Sequence, residues 1–140
     1  MRRFSASLLL AGLFLGCRSE TPETQVRAAF EACRAAVEAG DAAAATAPLA
    51  ATFRGPEGLD RASSRAFLQA TMRQQRVGVT VLRNAVTERN GEVIQEVDLV
   101  LTGKSGVLLP EEASHREFHL RWGKVAGTWR LLELRTADGN

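Results

Sequence analysis

The chain has 140 residues, 45% hydrophobic and 24% charged, a length and balance that suit one globular domain. Its formal charge of +2 comes from Arg2 and Arg3; residues 17–140 set 16 basic against 16 acidic side chains. No basic run remains after residue 16, which argues against nucleic acid as a partner.

Residues 1–16, MRRFSASLLLAGLFLG, open with Arg2 and Arg3 and continue as an apolar stretch of signal-peptide length. A bilayer span needs roughly 20 apolar residues, so this stretch is too short to cross one. It ends in Phe14-Leu15-Gly16-Cys17. That ending resembles the lipobox of bacterial lipoproteins, in which an invariant Cys is lipidated and becomes the new N-terminus. Gly16 and Cys17 match its last two positions, while Phe14 and Leu15 depart from the usual Leu and small residue. The resemblance implies a signal peptide at 1–16, acylation (palmitate among the chains) at Cys17 and a tether at 17–21. The protein would then lie in the cell envelope, on the inner or outer membrane, facing the periplasm or exterior. Acyl chains, at about 0.8 kcal/mol per buried CH₂, make such an anchor durable. The alternative is an ordinary secretory signal with an incidental Cys. With Cys17 acylated, Cys33 has no disulfide partner and reads as a buried, inert thiol.

Thr21-Pro22-Glu23 supplies an N-cap, a proline at the first helical position and an acid in the first turn. The spacing predicts a helix to about Ala39, with Val26, Phe30, Cys33 and Val37 on its buried face. Arg27/Glu31 and Arg34/Glu38 stand at i,i+4 on the wet side. About four residues separate Cys17 from this helix, a reach of at most roughly 15 Å. Gly40 stops the helix, and Asp41 caps a second, Ala-rich one to about Ala50. A loop through Phe53, Gly55, Pro56 and Gly58 leads to Asp60. Asp60 caps a third helix to about Arg76, with Ala66, Phe67 and Ala70 expected inward.

From Val77 the period becomes two. Asn90-Gly91 predicts a two-residue hairpin turn. That turn sets Leu82 opposite Leu99, Val81 opposite Val100 and Arg83 opposite Asp98. A second hairpin joins residues 115–124 to 128–136. A three-residue turn at Val125-Ala126-Gly127 gives Leu120–Leu132, Phe118–Leu134, Glu117–Arg135 and His119–Glu133 pairs. A two-residue turn would set Glu133 against Leu120, so charge and apolar matching favour the longer one. The layout is α+β: three N-terminal helices packed on a curved four-stranded antiparallel sheet.

Two phrases, "VRAAFEACRAAVEAGDAAAATAPLAATF" and "FHLRWGKVAGTWRLLELR", resemble the NTF2-like superfamily, which includes the SnoaL-like proteins. Gly40-Asp41, Phe53, Trp122 and Trp129-Arg130-Leu131 fill its marked positions. The resemblance implies an NTF2-like cone over residues 22–138. It carries no chemistry, since the superfamily holds isomerases, hydrolases and binding domains alike.

Family enzymes place an Asp or His in the cone, often with a Tyr, and this chain has no Tyr. Asp98 reads as a salt-bridge partner of Arg83 on the outer face. His115 and His119 share a strand face with Glu117, but a metal needs about three convergent ligands. A charged outer face with Arg121 and Arg135 is the simpler account. No catalytic residue, metal site or cofactor is therefore assigned. Asn84 and Gln95 turn toward the helix side. With Trp122 and Arg130 they are the candidates for a cavity lining that contacts ligand, the competing account being purely structural amides. Gly106–Glu112, GVLLPEE, is an apolar loop expected to tuck inward. The expected function is a membrane-anchored, non-catalytic binding domain for a small apolar ligand or an envelope protein. A small isomerase or dehydratase is the alternative, and a homodimer through the outer sheet face is open.

Overall fold

The computed structural model describes residues 19–103 and 115–137. The signal, Cys17 and the GVLLPEE loop lie outside the described residues.

Helix α1 spans Pro22–Ala39. The Thr21 hydroxyl accepts from the Thr24 N–H at 3.2 Å, and Gly40 closes the helix with φ 75°. Val26 and Phe30 are buried as the stripe predicts, with Cys33 and Val37 half-buried. The ion pairs are redistributed. Arg34 holds both Glu31 (2.9 Å) and Glu38 (2.8 Å), while Arg27 donates to the Asn84 carbonyl at 2.9 Å. Glu38 also accepts the Val79 N–H at 3.1 Å. These contacts lay α1 antiparallel along strand β2, Gly78–Arg89.

Helix α2 covers only Ala42–Thr46, capped by the Asp41 carboxylate. Ala47 and Pro48 follow, and Pro48 has no N–H to continue the ladder. The chain then forms strand β1, Leu49–Arg54, where a helix end and loop were expected. β1 pairs in parallel with strand β5, Thr128–Thr136, through Leu49–Leu131 and Arg54–Glu133. With strands β3 (Glu92–Thr102) and β4 (His115–Val125) the sheet has five strands, not four, in the order β1-β5-β4-β3-β2. It is mixed rather than wholly antiparallel. Burial of Leu49, Ala50 and Phe53 stabilises the added edge strand.

Helix α3 spans Arg61–Gln74 and begins with a reciprocal Asp60–Ser63 capping box. Its expected inner face is wrong. Ala66, Phe67 and Ala70 are exposed, Phe67 by 59%. The helix leans on α2 and β1 through half-buried Ser64, Leu68, Thr71 and Met72 instead.

Both hairpins close with two-residue turns, and all four central residues have positive φ: Asn90 52°, Gly91 79°, Ala126 51° and Gly127 79°. That combination matches the right-handed twist of the flanking strands. Each hairpin also carries a bulge. In β2, Arg83 faces Asp98 as expected, but Val81 faces Leu99, which leaves Leu82 as the extra residue. Leu82 is 62% exposed. In β5 the ladder runs Trp122–Leu131 near the turn and Arg121–Glu133 beyond it, so Leu132 is the extra residue. The shorter turn and a bulge bring Leu134 opposite Leu120 and Arg135 opposite His119. Charge and apolar matching is met by the bulge, not by a longer turn.

The core lies between α1 and the inner sheet face, around Val26, Phe30, Phe53, Val97, Trp122 and Leu131.

Candidate functional site

Along β3 the residues facing the helices are Val93, Gln95, Val97 and Leu99, all buried. Gln95 is the one amide in that series. The β2 bulge sets its neighbour. Val79 and Val81 turn inward before the bulge, and one extra residue lets Asn84 and Val86 turn inward after it. Trp122 reaches the same spot from β4, beside Val93.

Three of the candidates, Trp122, Gln95 and Asn84, form one hydrogen-bonded series. The Trp122 Nε1–H donates to Gln95 Oε1 at 2.9 Å, and Gln95 Nε2 donates to Asn84 Oδ1 at 2.9 Å. Gln95 is fully buried and Trp122 is 1% exposed. The backbone carbonyl of Asn84 is taken by Arg27. Buried amides at this depth need partners, and here they supply one another. The series contains no group that gains or loses a proton near neutral pH, so it can hold shape or contact a ligand but not perform acid–base work.

Arg130 stands apart. Its Nη1 donates to the Ala47 carbonyl at 2.8 Å and ties β5 to the segment after α2. Trp129 is held by α1, donating to Gln25 Oε1 at 2.7 Å, with Lys124 Nζ 5.5 Å from its ring centroid.

The outer sheet face is a charge lattice. Arg83 meets Asp98 at 3.0 Å, Glu117 at 3.3 Å and Glu96 at 3.5 Å, and these carboxylates hold its guanidinium above its ordinary range. Arg121 meets Glu92 at 3.0 Å and Glu133 at 3.5 Å. His119 sits 3.8 Å from both Glu96 and Glu117. Asp98 Oδ1 is buried without a hydrogen bond. Among the described residues no three His, Cys, Asp or Glu side chains gather as metal ligands.

Cys33 faces inward from α1, and burial pushes its thiol up to about 11. Such a thiol is a poor nucleophile.

Two adjoining clefts lie along α3, where the sequence reading placed nothing. One, of about 400 Å³, is lined by Gly40, Asp41, Ala43, Arg65, Gln69 and Arg73. The other, of about 610 Å³, is lined by Thr46, Ala51, Asp60, Arg61 and Arg65. Arg65 and Ala43 belong to both. A sequence signal existed: residues 61–87 contain five arginines and no acid.

No protein-family profile matches the chain, and no characterised protein matches it in sequence. Solved structures do. Aln2 from a Streptomyces species superposes with a TM-score of 0.70 at 15% identity, over 84% of this chain and 91% of that one. An NTF2-like protein from Cytophaga hutchinsonii gives 0.67 at 12% identity, over 84% and 98%. Bd1075 from Bdellovibrio bacteriovorus gives 0.66 at 12% identity over 80% of this chain, which spans only 40% of that one. At these identities the likeness establishes an NTF2-like fold and carries no activity across.

Proposed function

We propose that this chain is a membrane-anchored, non-catalytic NTF2-like lipoprotein of the bacterial cell envelope whose task is to hold a protein partner. The observation that carries the reading is the Trp122–Gln95–Asn84 chain. The two buried polar side chains that a cone-bound ligand would need, Gln95 and Trp122, are bonded to one another, and the Gln95 amide nitrogen is turned onto Asn84 Oδ1. An isomerase or dehydratase would need a carboxylate or imidazole in their place.

Arg2, Arg3, the apolar run and Gly16-Cys17 support the anchor. Among the described residues no helix is long and apolar enough to cross a membrane. On this reading acyl chains on Cys17 do the holding, and the α1 N-terminus sits nearest the lipid.

The test uses the complete chain with its own leader in a Gram-negative host. A palmitate analogue should label wild type, and Cys17→Ser should lose the label and leave the membrane fraction. A Cys17→Ser protein that stays membrane-bound defeats the anchor. Solvent extraction of the purified wild type, which leaves the covalent anchor on the protein, should release no stoichiometric apolar molecule when read by mass spectrometry. Recovery of one replaces the partner-holding role with ligand binding.

A further inference from the structure

In α1, Arg34 has carboxylates on both sides, and on the outer sheet face Arg83, Arg121 and Arg135 are each paired. α3 is built the other way. Among the described residues the side chains of Arg61, Arg65 and Arg73 have no ion pair or hydrogen bond. All three are exposed and line the two clefts. Arg76, just beyond the helix, continues the series.

The placement opposes stability. Arg61 and Arg65 are a like-charge i,i+4 pair, which is unfavourable on a helix. They also stand in the first turns, where the helix dipole repels cations. The cleft's own acids do not answer them. The Asp41 carboxylate accepts the Ala44 N–H at 3.0 Å, and Asp60 accepts the Ser63 N–H at 2.8 Å and its hydroxyl at 2.7 Å. Each is turned onto its own helix start, and the Ser63 hydrogen bonds hold the Asp60 carboxyl below its ordinary range.

The spacing indicates the shape of the counter-charge. At 1.5 Å per residue, Arg61 and Arg65 are about 6 Å apart along the helix, and Arg65 and Arg73 about 12 Å. Alternate side chains on one face of an extended peptide recur every ~6.8 Å, so acids at positions i, i+2 and i+6 match the three arginines in spacing along the helix axis. Both clefts are open to solvent and meet at Ala43 and Arg65. Guanidinium forks match carboxylates bidentately. The groove ends at Gly40, the C-terminal end of the 18-residue α1, about 27 Å from the helix start that the proposed anchor would hold near the lipid. The axial spacing of the arginines, repeated by alternate side chains of an extended chain, favours a peptide segment over a membrane surface.

We infer that the α2–α3 groove is a docking site for an extended acidic segment of a partner protein, gripped by Arg61, Arg65 and Arg73. This rests on the partner-holding reading above and names the chemistry of that partner.

The probe is a fluorescein-labelled peptide of alternating glutamate and serine, with its glutamine counterpart as control. Binding to the complete chain in neutral detergent is read by anisotropy. The glutamate peptide should bind saturably and the glutamine peptide should not. Arg65→Gln with Arg73→Gln should weaken binding about tenfold or more, the loss expected for two charge-assisted contacts. Arg89→Gln, an unpaired surface arginine at the far end of β2, should change it less than about twofold. Circular dichroism should show both variants folded, since all these side chains are exposed. Absence of saturable binding, or equal loss in Arg89→Gln, overturns the inference. So does full displacement by phosphatidylglycerol in the micelles, which assigns the groove to a lipid surface, or by millimolar inorganic phosphate, which assigns it to a small anion. A partner cross-linked through the outer sheet face with no peptide binding defeats this inference and leaves the partner-holding role intact. An apolar molecule recovered from the cone defeats that role instead.

Discussion

The indole of Trp122 donates to Gln95 Oε1 at 2.9 Å in a part of the cone closed to solvent. If that bond is structural, removing either partner strands the other. Gln95→Leu leaves a buried N–H, and Trp122→Phe leaves a buried carbonyl. Each should cost about 1–3 kcal/mol in urea unfolding. The double variant should cost less than the two losses together, by about 1 kcal/mol or more. Additive losses would mean the bond contributes nothing to stability and would reopen a ligand role for Gln95.

The two hairpin turns predict opposite substitutions. Asn90 and Ala126 hold φ of 52° and 51° at equivalent positions. Asn tolerates that region, whereas a Cβ without a local polar bond costs about 1–2 kcal/mol there. Ala126→Gly should therefore stabilise by about 1 kcal/mol, and Asn90→Ala should destabilise by a similar amount. Both are read from the midpoint of thermal unfolding. A neutral Ala126→Gly would show that the turn is not held in this geometry in solution.

What the sequence disclosed and what it hid follow from how local each signal is. Thr21, Pro22 and Gly40 sit at the ends of α1 and bracket it within one stretch. The inward turn of Asn84 and Gln95 was legible because Asn90-Gly91 fixes parity across a short hairpin. β1 was not legible. Ala50 and Ala51 blur into the Ala-rich helix before them, and the partner of Leu49 is Leu131, far along the chain. The bulges at Leu82 and Leu132 were hidden because an apolar leucine at each extra position masks the phase change that the insertion makes. Phe67 misled because helical periodicity marks an apolar face but not whether anything covers it. The α3 groove was hidden because Arg61, Arg65 and Arg73 gain meaning only once α2 is seen beside them.

The β5 bulge has its own mark. A Cβ added at Gly123 would lie 2.7 Å from Leu132 Cδ1, so the side chain of the extra residue of β5 must shift to admit any larger residue there. Gly123→Ala should cost about 1–2 kcal/mol in the wild-type background, as the Leu132 side chain is displaced. In a Leu132→Ala background the same change should cost under ~0.5 kcal/mol, because the obstructing atom is gone. Equal costs in the two backgrounds would show that the Leu132 side chain does not lie against Gly123.

Cys33 supplies a pH dependence whose sign is fixed. Burial favours the neutral thiol, pushing it up to about 11 from an ordinary value of 9.0. Below pH 9 the thiol is neutral in both folded and unfolded chains, and its contribution is fully present. Between pH 9 and 11 the unfolded chain loses the proton and the folded chain keeps it, so stability is lost as pH rises. The loss should reach about 1–3 kcal/mol at pH 11. Cys33→Ala removes this dependence, so the difference between the two unfolding curves isolates the contribution of this thiol. Iodoacetamide should label the folded Cys17→Ser protein slowly at pH 8 and rapidly once urea exposes Cys33. Rapid labelling of the folded protein, or parallel pH curves for wild type and Cys33→Ala, would mean that Cys33 is accessible and would overturn its reading as a buried, inert thiol.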